Sequence, residues 1–237
     1  MMKPGKLYLI PVTLGDLESA NRVLPAFNKE IIDKLELFIV EQTRTARRFL
    51  SALGHPSPID QLAFFELNKH TNPAHIELYL QHLSNGRDMG LMSEAGTPCI
   101  ADPGSQVVEL AQNKGFHVIP LVGPNSLLLA LMASGFNGQH FIFHGYLPID
   151  KGLLVKKLKE MESQVLKKDQ TQLFIETPYR NNALVDLIVN TCQPTIKLCI
   201  ATDITLSTEQ IKTRTLHDWK KEKPQLHKKP TVFLLYK

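Results

Sequence analysis

From residue 6 to residue 121 five short apolar runs recur, separated by segments whose apolar residues return at helical spacing. The runs predict strands over 6–11, 37–41, 62–67, 89–92 and 116–121. Between them the spacing predicts a helix from an Asp16 cap to about residue 35, a basic helix over 43–53, and a helix opening at Pro73 and stopping at Gly86. Strands that alternate with helices in this way argue for a parallel sheet of about five strands, covered on both faces.

In an open parallel sheet the loops leaving the carboxyl ends of the strands form the ligand crevice. The loop after the fourth run carries most information. Residues 91–104 read LMSEAGTPCIADPG, a strand end, two turns and the start of an amphipathic segment. Gly96 lets backbone approach a ligand closely, Pro98 and Pro103 stiffen the path, and Asp102 before Pro103 favours a turn.

Beyond Gly123 the pattern changes. A nearly all-apolar segment, LLLALMASG, predicts a helix buried between layers. Strands are expected over 140–145, 172–177 and 197–202, with helices over 151–168 and 179–191. Two further runs, TEQIKTRTL and PTVFLLYK, alternate like antiparallel strands and predict a mixed second sheet. The domain boundary is expected near Val122, giving domains 1–122 and 123–237.

Composition bounds the setting. A chain of 237 residues with 43% hydrophobic and 21% charged residues is that of an ordinary globular protein. Cys99, Cys192 and Cys199 have no CxxC spacing, so neither a disulfide framework nor a zinc site is indicated, and a reducing cytoplasm is the expected location. The start, MMKPGKLYLIP, runs straight into a strand without a signal-peptide core. No apolar run reaches membrane-spanning length. A net charge of +4 permits a nucleic-acid partner without demanding one. No GxGxxG follows the first strand, and there is no P-loop, HExxH or GxSxG. His140 and His144 lie four apart on a strand, which reads as a packed or edge pair rather than a metal site.

The string S-E-A-G-T-P followed by D-P-G resembles the S-D-A-G-T-P-x-x-x-D-P-G signature of the ribosomal-RNA branch of the tetrapyrrole methylase family, whose enzymes use S-adenosylmethionine (SAM). Five shorter matches follow the family in order. Residues 11–17, PVTLGDL, resemble its P-T-P-I-G-N-L loop, and residues 41–44, EQTR, its E-D-T-R. Residues 122–126, VGPNS, resemble P-G-P-x-x; residues 144–148, HGYLP, resemble E-G-F-L-P; and residues 176–180, ETPYR, resemble E-S-x-H-R.

The resemblance implies an α/β fold of two domains, a parallel N-terminal sheet and a mixed C-terminal sheet, with SAM in the cleft between them. By it, Ser93, Glu94, Ala95, Gly96 and Thr97 line the cofactor, joined by Asn125, Ser126, Pro230 and Thr231. Asn125 and Ser126 read equally well as a helix N-cap, and Pro230 as an edge-strand proline. The implied reaction is methyl transfer to a ribose 2′-hydroxyl of small-subunit rRNA, which calls for a proton acceptor. Asp16, Glu41, Glu94 and Asp102 are candidates, and the sequence does not choose among them. Glu41 and Arg44 are also readable as a structural ion pair. Arg44, Arg47 and Arg48 suit phosphate contacts. A homodimer and no metal are further implications, the apolar segment near residue 130 being the local motive for the dimer.

The chain departs from the family at several points. Glu94 stands for Asp, Gln42 for Asp and Leu206 for Lys; Lys228, Lys229 and Pro230 replace a terminal K-G-E; and the acids around His70 are missing. Those changes leave room for another RNA, a small molecule such as a tetrapyrrole, or a SAM-binding module without chemistry.

Overall fold

The computed structural model describes residues 3–68 and 71–237, so Lys69, which stands at one of the two missing acids, and His70 lie outside the described residues, while Asn72, which stands at the other, lies within them. The chain divides into two compact units, Met1–Asn125 and Ser126–Lys237.

The first unit holds five parallel strands, β1 (Lys6–Ile10), β2 (Leu37–Val40), β3 (Ala63–Glu66), β4 (Met89–Met92) and β5 (His117–Pro120), in the order β3-β2-β4-β1-β5. Successive strand residues point to opposite faces, and both faces are apolar. Leu7, Leu37, Ile39, Met89 and Leu91 pack with α4 (Pro73–Ser84) and α5 (Ser105–Asn113) through Ile76, Leu80, Leu83, Val107 and Ala111. Tyr8, Ile10, Phe38, Val40 and Met92 pack on the other face. There they meet α1 (Ala20–Val23), α2 (Ala26–Ile32) and α3 (Thr43–Ala52) through Ala20, Ile32, Ala46, Phe49 and Leu50. Each such side chain contributes about 1.5–3 kcal/mol on burial, so two covered faces fix the strand register firmly. β4 is the central strand, and all four of its residues are buried.

The expected single helix from Asp16 to about residue 35 is instead two short helices. Pro25 has no N–H to continue a helix and pushes the residue before it out of the helical region. Leu24 is accordingly extended, at φ −105° and ψ 132°. Asp16 caps a turn ahead of α1, its Oδ1 accepting from Ser19 N–H at 2.7 Å.

The second unit opens with α6 (Ser126–Ser134) and holds β6 (Phe141–Tyr146), α7 (Lys151–Lys168), β7 (Thr171–Ile175), α8 (Asn181–Thr191), β8 (Lys197–Thr202), β9 (Gln210–Thr215), α9 (Leu216–Lys221) and β10 (Thr231–Tyr236). Its sheet runs β6-β7-β10-β8-β9. β6 and β7 are parallel, whereas β10 is antiparallel to both neighbours and β9 to β8, so the sheet is mixed. Phe174 and Phe233 stack at 5.5 Å in a core that α7 and α8 close with Leu154, Leu158, Met161, Leu184 and Ile188.

Two local expectations change here. α9 breaks what reads as strand and loop, capped by Thr215, whose side chain accepts from Asp218 N–H. α6 is not buried all round: Ala130, Leu131 and Ser134 are covered, while Leu128 and Met132 are 50% and 78% exposed. One face of α6 packs on β9 and β10, and a single packed face is all that a helix on one side of a sheet obtains. No helix among the described residues is long and apolar enough to cross a membrane.

Candidate active site

The loop that leaves β4 is built from its own backbone. Ser93 is buried, and its hydroxyl donates to the Gly96 carbonyl at 3.2 Å. Gly96 sits at φ +71°, in the left-handed region, where a Cβ would meet Leu14 Cδ2 at 3.0 Å and the Pro124 carbonyl at 3.2 Å. Its carbonyl also accepts from Val12 N–H at 2.9 Å, which ties this loop to the one leaving β1. Glu94 and Ala95 are exposed at the tip and Thr97 is half-buried. Asn125 reaches across, its Nδ2 donating to Thr97 Oγ1 at 2.6 Å. Gly123 is needed for the same closeness, since a Cβ there would lie 2.3 Å from Pro11. The loops leaving β1, β4 and β5 thus converge at the carboxyl edge of the sheet, where the strand order places a crevice.

Four carboxylates were candidates for proton transfer, and the fold separates them. Asp102 Oδ1 accepts from Cys99 N–H and from Gly104 N–H, both at 2.8 Å, and so holds a turn in which Cys99 and Ala101 take positive φ. Burial still pushes its carboxyl above the usual range, against those two bonds. Asp16 is exposed and engaged in the turn before α1. Glu94 is exposed.

Glu41 follows β2, next to β4 in the sheet, and is half-buried. Burial raises its pKa first and the Asp102 charge second, Glu94 N–H bonding opposes the rise, and the Glu94 charge adds a smaller increment. Glu41 therefore feels the charges of both Asp102 and Glu94 at this edge. Of the two acids with a perturbed pKa, Asp102 holds two N–H groups of a turn, whereas Glu41 meets a single N–H, that of Glu94. Among the described residues no ion pair joins it to Arg44.

The arginines on α3 differ in availability. Arg47 is paired with Asp60, while Arg44 and Arg48 are exposed without an ion-pair partner among the described residues. In the second unit, Ser126 opens α6, Pro230 is exposed, and Thr231 begins β10. Thr231 Oγ1 donates to the Lys229 carbonyl at 2.9 Å and accepts from Asn181 Nδ2 at 3.0 Å. Leu206 falls in a tight turn held by Thr208 Oγ1 donating to Asp203 at 3.0 Å.

Glu176 and Arg180 belong to the 176–180 match, which implies no role for them. They form an ion pair at 2.8 Å, with the Glu176 side chain 2% exposed. Both line a cavity of about 540 Å³ with Ile149, Lys151, Leu154 and Leu184. Their i, i+4 spacing was the available signal, but the cavity depends on how α7 and α8 pack.

No family model matches the chain. Solved structures do. The methyltransferase CobJ superposes with a TM-score of 0.64 at 16% identity, covering 98% of this chain and 94% of that one. Uroporphyrin-III C-methyl transferase from Thermus thermophilus, solved with S-adenosyl homocysteine, gives 0.59 at 15% identity and 98% of both chains. Two sheets in this order, with converging loops at the carboxyl edge of the first, define a two-domain tetrapyrrole methylase fold. Sequence relatives narrow the placement. A Pasteurella multocida protein named Ribosomal RNA small subunit methyltransferase I is 28% identical over 234 residues, 98% of this chain and 79% of that protein. A Bacillus subtilis protein of the same name is 32% identical over 177 residues, 74% of this chain and 56% of that protein. The chain thus has the fold of the tetrapyrrole methylases and is similar in sequence to these relatives along nearly its whole length.

Proposed function

We propose that the protein is a SAM-dependent methyltransferase that methylates a ribose 2′-hydroxyl of small-subunit rRNA in the cytoplasm. The loop after β4 carries this reading, because its glycine turn and its neighbour Glu41 supply both a close backbone surface and a proton acceptor. The loop passes the fit test for a nucleoside ligand at its tip: Gly96, with no Cβ, closes against Leu14 and the Pro124 carbonyl, which leaves the backbone of Glu94 and Ala95 as the exposed surface. Ser93, Glu94, Ala95, Gly96, Thr97 and Asn125 would hold SAM, with Ser126, Pro230 and Thr231 assigned to it by family resemblance. SAM supplies a sulfonium-activated methyl group, which leaves its electron pair on sulfur as the new oxygen–carbon bond forms.

The protein's own part is positioning and proton transfer. Rigid loops hold the reactants in register, an effect worth up to about 7–11 kcal/mol of barrier when alignment is good. Glu41 takes the hydroxyl proton onto its carboxylate. Its raised pKa brings its basicity closer to the working pH than that of an ordinary carboxylate. Arg44 and Arg48 grip backbone phosphates, and Arg47 contributes when released from Asp60.

Methyl transfer from labelled SAM to small ribosomal subunits, free RNA and small-molecule extract tests the assignment. Label in a ribose of small-subunit rRNA is the expected result. Label only in a small molecule such as a tetrapyrrole overturns the RNA target. Tight SAM binding with no transfer at all overturns the chemistry. A homodimer is also proposed, on family resemblance and on Leu128 and Met132 of α6, which stand exposed. A monomer mass by light scattering at micromolar concentration removes it.

A further inference from the structure

One exposed feature of the second unit is not used by the cofactor or the proton acceptor. Tyr179, between β7 and α8, is 72% exposed, an unusual position for a ring of this size. It is not loosely held. The exposed His227 ring meets it edge-on, with centroids 5.9 Å apart and planes at 73°. The two segments that carry these rings are stitched together. Lys228 N–H donates to the Pro178 carbonyl at 3.3 Å, and Leu226 N–H to Asn182 Oδ1 at 3.0 Å. Asn181, fully buried, donates to the Lys229 carbonyl at 2.8 Å and to Thr231 Oγ1 at 3.0 Å. Side chains on the first turn of α8 therefore fix residues 226–231, and they connect the ring pair directly to the Thr231 position.

Charge says what such a surface meets. Residues 126–237 hold sixteen Lys and Arg against ten Asp and Glu, whereas residues 1–125 hold eleven against thirteen. The basic excess of the protein belongs to the second unit. Beside the rings, Lys228 is exposed at φ +61° and its ammonium has no ion-pair partner among the described residues. Arg180 follows Tyr179, with its guanidinium partly exposed above Glu176. An exposed ring with cations around it matches the demands of single-stranded RNA, whose unstacked bases seek aromatic faces and whose phosphates seek cations.

We propose that Tyr179, braced by His227, is the stacking platform for an unpaired base of the RNA substrate, with Lys228 taking an adjacent phosphate. This rests on the rRNA methyltransferase reading above and names the part of the second unit that engages the RNA.

The test uses the full chain, a labelled unstructured oligoribonucleotide for binding, and small ribosomal subunits for methyl transfer. Tyr179→Ala is expected to weaken oligoribonucleotide binding about five- to hundredfold, the loss that removal of one stacked base gives. Tyr179→Phe keeps the ring face and should stay close to wild type. Lys228→Ala should reduce the salt slope of binding by about one. Melting temperature, the calorimetric heat of SAM binding and the scattering mass should not change in Tyr179→Ala. Wild-type RNA affinity in Tyr179→Ala overturns the platform while leaving the methyltransferase reading intact. So does an equal loss in Tyr179→Phe, which would assign the effect to the hydroxyl. A drop in particle mass in Tyr179→Ala with RNA affinity retained makes the surface a contact between copies. Failure of the wild-type protein to bind or methylate any RNA overturns both the platform and the reading beneath it.

Discussion

Glu41 is less comfortable as an anion in the fold than in the unfolded chain, where it ionises near its ordinary value of 4.5. The folded protein keeps that proton to higher pH, so it binds more protons than the unfolded chain above pH 4.5. Stability attributable to this group therefore falls as pH rises through the raised pKa. Glu41→Gln should be more resistant to urea than wild type at pH 7, with the difference disappearing below pH 4.5. The same substitution should lower kcat by about 10²–10⁴-fold while SAM affinity holds, because it removes the proton acceptor alone. Wild-type kcat/KM should fall on the acid side with a midpoint above the ordinary carboxylate range, which a pH–rate profile reads directly. Gly96→Ala makes a different prediction. A left-handed non-glycine residue costs about 1–2 kcal/mol, so urea unfolding should register that loss and calorimetry a weakened SAM heat.

Central strands bear the most load among the elements. Phe233 lies on β10 and is fully buried against Phe174, so Phe233→Ala should cost about 3–5 kcal/mol in chemical denaturation. Elements with unbroken local patterns were legible in the sequence. β4, β8 and α7 begin and end where hydrophobic spacing places them, at 89–92, 197–202 and 151–168. The helix expected from Asp16 failed at Pro25, whose effect on Leu24 is a backbone matter that apolar spacing does not register. α9 was missed because six residues, LHDWKK, are too few to show a helical period. At the site, the glycine turn of 93–97 and the Asp102 turn could be read from residue types. The approach of Glu41 to Asp102 could not, since it depends on β2 lying beside β4, strands that are not consecutive in the chain. Tyr179 carries no signal of its own in the sequence, because its exposure is a property of the folded chain where β7 meets α8.

At the scale of the molecule, a ligand that binds only the folded state stabilises it by about 2.7 kcal/mol at a hundredfold excess over its dissociation constant. For a chain of 237 residues this is a melting shift on the order of 5–10 °C with saturating SAM. No shift with millimolar SAM removes the cofactor assignment. The order of strands has a separate consequence, for synthesis. All five strands of the first sheet are complete by Pro120, so the first unit has everything it needs while the rest of the message is still being translated. In the second sheet the middle position is filled by β10, which the ribosome makes after the other four strands of that sheet. Until Tyr236 has emerged, β7 and β8 have no strand between them, and the nascent second unit is a sheet in two halves. Arrested nascent chains should therefore resist protease over the first unit and stay cleavable over the second up to that point. A message cut short before the codons of β10 would give a protein with a sound first unit and no second one.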